Sequence, residues 1–328
     1  MVLKDIDSLI ALVRDDMDRV EQMLMASIDT PVEALNGICR HILGSGGKRI
    51  RPLILLLTAR FCGYQGASHI PLACVLEYIH TASVLHDDVI DHAEMRRGIS
   101  SAHTVWGNQS AILAGDYFFS RAFSLAVGVG NVRILDVIAR AAQCLAEAET
   151  FQVAKTGDPL TTEQEYFYII ENKTASLIEA AARSSAILGG LDDNQELLLA
   201  EYGRNMGIAF QIMDDVLDYQ ASEKDLGKTI CKDMQEGCMT LPLIAALAKG
   251  SEEEKAMVAG LINSRQWQPK DIASVRDFVE KYQGTGYAVA CARERVNAGL
   301  AALVSFKTTG GLNEALAELA SYVMERSS

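Results

Sequence analysis

Six aspartates in two short stretches are the residues of this 328-residue chain whose types and spacing most plainly suit chemistry. They read "DDVID" at 87–91 and "DDVLD" at 214–218. On a helix, positions four apart share a face. Asp87 therefore projects with Asp91, and Asp214 with Asp218, while Asp88 and Asp215 sit offset by about 100°. Carboxylates crowded at the ends of apolar stretches repel one another and are costly to desolvate, and a divalent cation offsets both effects. All-oxygen donors suit Mg²⁺ or Mn²⁺; Mg²⁺ is usually held by one or two carboxylates and shares its other positions with water and substrate phosphates. One acidic turn alone would read as a solvated patch. Two copies in apolar helical settings favour metal-assisted binding of a diphosphate, with the two clusters clamping it between them.

Positive charge gathers beside glycines in three places: "GGKRIRP" at 46–52, "RRG" at 96–98 and "GKTICK" at 227–232. Lys48 and Arg51 lie three apart on one helix face after a Gly-Gly turn, and Pro52 suits the first turn of the apolar helix that follows, so the pair is expected to capture an anion. Arg49 between them is expected to be a solvated side chain over an apolar stem. His80 stands two helical turns before Asp87 on the same side, where it can donate to a phosphate or satisfy a core contact. His86 is read as structural or solvated.

The elements that must position these residues are helical. "PLACVLEYIHTASVLHDDVIDHA" and "LLLAEYGRNMGIAFQIMDDVLDY" repeat apolar residues at three and four, and no alternating run is long enough for a sheet. Ser251 with Glu254, Thr162 with Glu165, and Asp193 with Glu196 have the spacing of helix starts, and Gly189-Gly190, Gly284-Thr285-Gly286 and Gly310-Gly311 mark breaks. No linker or composition shift divides the chain. The expectation is an all-α, single-domain bundle of about ten or more helices spanning 1–328.

A formal net charge of −13, from 30 basic and 43 acidic residues, weighs against nucleic acid as the partner. The seven cysteines form no C-x-x-C pair and read as reduced thiols. Apolar runs such as Leu53 to Leu57 fall far short of the roughly 20 residues of a membrane span, and "MVLKDIDSLI" lacks the order of a signal peptide. A cytoplasmic location without a transmembrane segment is expected.

Taken together and in this order, "GGKRIRP", "LEYIHTASVLHDDVIDHAEMRRG", "NKTASL" and "FQIMDDVLD" resemble the trans-isoprenyl diphosphate synthases, which elongate prenyl chains head to tail. The pattern looks most like bacterial long-chain members such as octaprenyl diphosphate synthase. The resemblance implies an all-helical bundle around a central substrate cavity, usually a homodimer. It implies that Asp87, Asp91 and Asp214 hold Mg²⁺ on the diphosphate of an allylic substrate, with Asp88, Asp215 and Asp218 in the same clusters. Arg96, Lys173 and Lys228 would contact that diphosphate, and Thr174 and Gln211 would line the same site. Gly47, Lys48, Arg51, His80 and Arg97 match the family's site for isopentenyl diphosphate, and Asp233 would support the metals.

Chain length would be set below Asp87. Ala82 and Ser83 stand where short-chain members often carry an aromatic floor, with Ile79 and Leu76 further down at about 1.5 Å per residue. A product of about thirty to fifty carbons is expected on that count, with geranylgeranyl or farnesyl diphosphate as the alternative. Cys231, Thr229 and Cys238 stand where Gly, Pro and Lys are common. Competing readings are an HD-type metal phosphohydrolase built on His41, His80, His86 and Asp87, a terpene cyclase, and a non-catalytic subunit of a heteromeric synthase. The first gives the second acidic cluster no role, the second leaves "GGKRIRP" unexplained, and the third would be expected to lose aspartates.

Overall fold

Apolar residues spaced by three and four dominate the sequence, and the computed structural model is accordingly an all-α bundle. It describes residues 6–26, 28–220, 231–264, 266–306 and 312–325. The helices run α1 (Ile6–Leu12), α2 (Arg14–Ala26), α3 (Glu33–Gly44), α4 (Ile50–Phe61) and α5 (His69–Ile90), then strands β1 (Met95–Arg96) and β2 (Ile99–Ser100). Next come α6 (Ala102–Trp106), α7 (Asn108–Val129), α8 (Val132–Lys155), α9 (Glu163–Ile170), a π-helical turn (Glu171–Ala175), α10 (Ser176–Leu188) and α11 (Asp193–Gln220). The last are α12 (Lys232–Gln235), α13 (Leu241–Lys249), α14 (Glu252–Ser264), α15 (Pro269–Lys281), α16 (Gly284–Leu303) and α17 (Leu312–Glu325). Packing divides the chain into two compact units. One comprises Met1–Ala142, Ala180–Ala200 and Lys307–Glu318; the other comprises Gln143–Glu179, Glu201–Phe306 and Leu319–Ser328.

In the first unit α5 is the core helix, packed on α7, α4 and α2. Every residue from Leu72 to Ile79 is buried. A helix apolar on all sides is stable only inside a core, where each large side chain contributes roughly 1.5–3 kcal/mol. The Tyr78 hydroxyl donates to the Leu24 carbonyl at 2.6 Å, tying α5 to α2. The helix ends at the first acidic stretch: Asp91 is its C-cap and its N–H still reaches the Asp87 carbonyl at 2.8 Å. The chain then leaves through His92 at φ 53°. Expectation and structure part slightly here, since a two-residue antiparallel pair forms, with Met95 opposite Ser100 and Arg96 opposite Ile99. Arg97 (φ 50°) and Gly98 (φ 80°) close it with the two positive angles that a right-twisted hairpin requires.

In the second unit the Thr162–Glu165 capping box forms as expected, and Ser251 and Glu254 cap reciprocally at 3.1 and 3.3 Å. At α11 the cap lies one residue earlier than expected: Asp192 Oδ1 accepts from the Gln195 N–H at 2.9 Å. Glu196 is instead buried, bound by Arg183 and Arg133 at 2.8 and 2.6 Å within the first unit. Gly284-Thr285-Gly286 is not a break but the start of α16, and the turn falls at Gln283 (φ 54°). A Cβ at Gly284 would sit 2.0 Å from the Pro242 carbonyl oxygen, so glycine there serves helix packing. Gly310 and Gly311 lie outside the described residues.

By length and composition α7 is apolar enough to cross a membrane, with a mean hydropathy of 1.3 over its best window, 28% of it buried. Counting unbroken apolar runs misses such a helix, because Asp116 and Arg121 interrupt it. One helix of this kind is weak support for a span, since core helices of soluble proteins have the same composition.

Candidate active site

The first acidic turn sits at the carboxyl end of α5, where the helix dipole is already negative and no basic residue occupies the last turn. Asp88 is buried, and Arg96 Nε lies 2.7 and 3.0 Å from its two oxygens. The hairpin of Arg96 thus offsets the most desolvated carboxylate. Asp87 is partly exposed and Asp91 exposed.

Of the predicted anion-binding residues of the first unit, Gly47 lies against Arg97, and His80 feels the charges of Arg51 and Arg97. Gly47 has φ 151°, and a Cβ there would lie 2.6 Å from Arg97 Nη1; the same guanidinium donates to the Gly46 carbonyl. The positive φ favours glycine at 47, and the arginine tip lies against the space a side chain would fill. His80 faces a crowd of cations. Withdrawal from water, then the charges of Arg51, Arg97, Arg96 and Arg49, hold its imidazole well below the ordinary value of 6.5. Two of these arginines already have carboxylate partners, Arg49 in Glu21 and Glu77 and Arg96 in Asp88.

Two expectations need correcting in this region. Lys48 is exposed and precedes α4, so it does not share a helix face with Arg51; α4 begins only at Ile50. Arg49 is not solvated but 8% exposed, and its guanidinium binds Glu21, Glu77 and the Leu43 carbonyl. Its neighbours in sequence gave no sign of those partners, which lie on three other segments.

In the second unit, Lys173 and Thr174 lie on the π-helical turn, a form that appears in helices mostly at functional sites. The turn is packed closely against α11: a Cβ at Gly207 would lie 2.5 Å from the Ala175 Cα. That approach lets Thr174 Oγ1 donate to Gln211 Oε1 at 2.9 Å, while Gln211 Nε2 donates to Asp215 Oδ1 at 2.9 Å. The Tyr166 hydroxyl donates to the other oxygen of Asp215 at 2.6 Å. Tyr166 was missed in the sequence, where it reads as one more apolar position of α9. Lys173 Nζ lies 2.6 Å from Glu149 Oε2. Lys228 lies outside the described residues, as does Thr229.

The second acidic turn lies within the last two turns of its helix, α11, with Asp218 in the last turn, which holds no basic residue. Burial raises the Asp215 carboxyl, against its hydrogen bonds and with added repulsion from Asp214 and Asp218. Burial also raises Asp218, although the N–H groups of Lys232 and Asp233 donate to it at 3.0 and 3.1 Å. Asp233 is raised by burial and by the charges of Asp215 and Asp218. Asp214 is exposed. Cys231, buried beside this turn, takes φ 53° as the N-cap of α12. A left-handed residue there explains why glycine suits the position; a side chain costs roughly 1–2 kcal/mol.

The donors fit a hard divalent cation: carboxylate oxygens only, at negative helix ends and in partly desolvated surroundings. Among the described residues no three acidic, histidine or cysteine side chains converge to cage an ion. Nε2 of His41 and Nε2 of His86 lie 2.8 and 3.0 Å from the carbonyls of Ser100 and Ile112, contacts that anchor both rings to neighbouring backbone.

Residues 32–279 match the family model for polyprenyl synthetase. The chain belongs to that family. It is thus an enzyme of the prenyltransferase class. It is 41% identical to the octaprenyl diphosphate synthase of Escherichia coli K12 over 247 residues, covering 75% of this chain and 76% of that one. It is 38% identical to the Haemophilus influenzae octaprenyl diphosphate synthase over 301 residues, or 92% and 91% of the two chains. A polyprenyl synthase from Caulobacter crescentus CB15, complexed with calcium and isoprenyl diphosphate, superposes with a TM-score of 0.94 at 34% identity over the full length of both chains. A decaprenyl diphosphate synthase from Rhodobacter capsulatus superposes at 0.93, with 34% identity over 98% and 99%.

The depressed imidazole makes a stability prediction. Below its unfolded value of 6.5, the unfolded chain takes up a proton at His80 that the folded chain refuses. Stability is therefore full above that pH and falls below it. In thermal melts between pH 7.5 and 5.5, His80→Gln should lose about 1 kcal/mol less than the parent protein; equal losses would contradict the assigned environment.

Proposed function

We propose that the chain catalyses Mg²⁺-dependent head-to-tail condensation of isopentenyl diphosphate with an allylic prenyl diphosphate, giving a long all-trans polyprenyl diphosphate, and that residues 1–328 act as one catalytic domain. The observation that carries this reading is the coexistence of two opposite charge sets: acidic turns on α5 and α11 suited to cations, and the basic side chains Lys48, Arg51 and Arg97 suited to an anion. A reaction between two diphosphates meets both. The calcium and isoprenyl diphosphate named with the Caulobacter relative are consistent with it.

In this reading Asp87, Asp91 and Asp214 hold Mg²⁺, while Asp88, Asp215, Asp218 and Asp233 support them from paired or buried positions. Bound there, the metal would neutralise charge developing on the leaving diphosphate. Arg96, Lys173 and Lys228 bind that diphosphate, with Thr174 and Gln211 orienting it. Gly47, Lys48, Arg51, His80 and Arg97 hold isopentenyl diphosphate, with neutral His80 donating one hydrogen bond.

The allylic C–O bond breaks and its electron pair leaves with diphosphate. The alkene of isopentenyl diphosphate supplies the pair for the new C–C bond, and loss of a proton to the released diphosphate restores a double bond. Fixed cations aimed at the departing oxygens accelerate the first step, and apolar surroundings keep water from the cation.

The product grows past Ala82, Ser83, Ile79 and Leu76, all buried on α5. Ser83 returns its hydroxyl to the His80 carbonyl at 2.9 Å, so it presents a small surface with no polar demand. A length of about thirty to fifty carbons follows from the missing aromatic floor and the depth of the helix at about 1.5 Å per residue. The octaprenyl relatives agree with the long-chain side of that range. The seven free thiols suit a reducing, cytoplasmic compartment.

A second copy of the chain is proposed to cover α7, where Ile112, Leu113, Phe123 and Val127 lie on the surface, Leu113 at 64% exposure. Light scattering should give twice the chain mass, and Leu113→Glu should shift it toward the monomer; a monomeric parent protein would refute the dimer.

Purified protein given isopentenyl diphosphate, farnesyl diphosphate and Mg²⁺ should make long polyprenols after dephosphorylation, and none with EDTA. Ser83→Phe should shorten the product. Unchanged length would contradict the ruler, and no condensation by the parent protein would overturn the function.

A further inference from the structure

Arg49 is the one strongly basic side chain that the structure withdraws from solvent inside "GGKRIRP". It adopts φ 47° and ψ 41° as the N-cap of α4, a left-handed conformation that costs a branched backbone residue roughly 1–2 kcal/mol and persists only where the surroundings fix it. Three segments do so. Nε binds Glu21 Oε1 of α2 at 2.7 Å, Nη1 binds Glu77 Oε1 of α5 at 2.9 Å, and Nη2 donates to the Leu43 carbonyl of α3 at 2.9 Å. Each nitrogen of the fork therefore has its own acceptor, an arrangement that lysine, a point charge with freely turning donors, does not reproduce.

The partners are not equivalent. The Glu77 side chain is 5% exposed and lies one turn before His80 on α5, whereas the Glu21 side chain is 43% exposed on α2. Burial alone would lower the Arg49 guanidinium, yet the charges of Glu77 and Glu21 hold it above its ordinary value, so it stays charged. Lys48 precedes this anchored residue directly, and Arg51 follows two positions later on the first turn of α4. Anchoring Arg49 thus sets where the backbone of both begins. The same fork ties that backbone to the helix that carries His80. No assigned substrate-binding residue lies on α2.

We propose that Glu21, Arg49 and Glu77 form a positioning device that sets the reach of Lys48 and Arg51 toward the diphosphate of isopentenyl diphosphate, so that α2 tunes affinity for that substrate from outside the site. This rests on the reading of Lys48, Arg51, His80 and Arg97 as the isopentenyl diphosphate site. The device does not touch substrate. Its loss loosens the loop, and the effect falls on one substrate only, because Asp87, Asp91 and the π-helical turn are held by other contacts.

The test is steady-state kinetics on the full chain, with each substrate varied against saturating partner, for Glu21→Gln, Glu21→Asp, Arg49→Lys and Arg97→Ala. Glu21→Gln, at a half-exposed position, should raise KM for isopentenyl diphosphate about threefold. Arg49→Lys should raise it about tenfold or more. Both should leave KM for farnesyl diphosphate and kcat within about twofold, and Glu21→Asp should recover part of the loss. Arg97→Ala probes the site itself and should raise the same KM. If Arg97→Ala raises it while Glu21→Gln and Arg49→Lys do not, the device is refuted and the site stands. If Arg97→Ala leaves it unchanged, the site assignment falls and the device with it. Parallel losses in both KM values, kcat and melting temperature would reduce the triad to a fold contact and also overturn the proposal.

Discussion

Carboxylates placed at the negative ends of helices are the constraint from which the rest of this structure follows. Asp87, Asp88 and Asp91 at the end of α5, and Asp218 in the last turn of α11, add charge where the backbone dipole already opposes it, with no basic residue in either last turn. Repulsion and desolvation both act against such an arrangement. Protein groups offset it locally: Arg96 takes Asp88, Tyr166 and Gln211 take Asp215, and backbone N–H groups take Asp218. Each of these bonds fixes a carboxylate direction as well as a charge. Asp91 and Asp214, the exposed members, stand where an exchangeable cation can reach them.

The scaffold is built from features that bring backbone or cation unusually close. Gly207 admits α11 against the π-helical turn, and the chain of bonds from Thr174 through Gln211 to Asp215 depends on that approach. The two-residue hairpin turns Arg96 toward Asp88 and Arg97 toward Gly46 and Gly47, so adjacent arginines serve different partners. In Arg49 the same economy is repeated with one guanidinium and three segments. The strain of left-handed residues at 49, 97 and 231 is concentrated around these contacts, as expected where geometry serves chemistry rather than stability.

Much of this was legible in the sequence, for identifiable reasons. The acidic triads are local patterns, and their helices carry long apolar periodicities, so type and approximate position followed from spacing alone. Caps at Thr162 and Ser251 were equally local. What escaped depends on distant partners or on backbone angle. Nothing near Arg49 announces Glu21 and Glu77, and nothing in "EQEYFYII" separates Tyr166 from its neighbours. Gly284 reads as a break because glycine usually is one; only the Pro242 carbonyl shows it to be a packing site. Cys231 stands where the family resemblance implies glycine, and its positive φ could not be read from composition.

The most direct test is equilibrium binding of inorganic pyrophosphate to the full chain by calorimetry, with Mg²⁺ and with EDTA, in the parent protein and in Asp87→Asn and Asp214→Asn. If cations at both acidic helix ends hold the diphosphate, binding requires Mg²⁺ and weakens at least about tenfold in either variant. Equal affinity without the metal, or indifference to the loss of either carboxylate, would contradict the account.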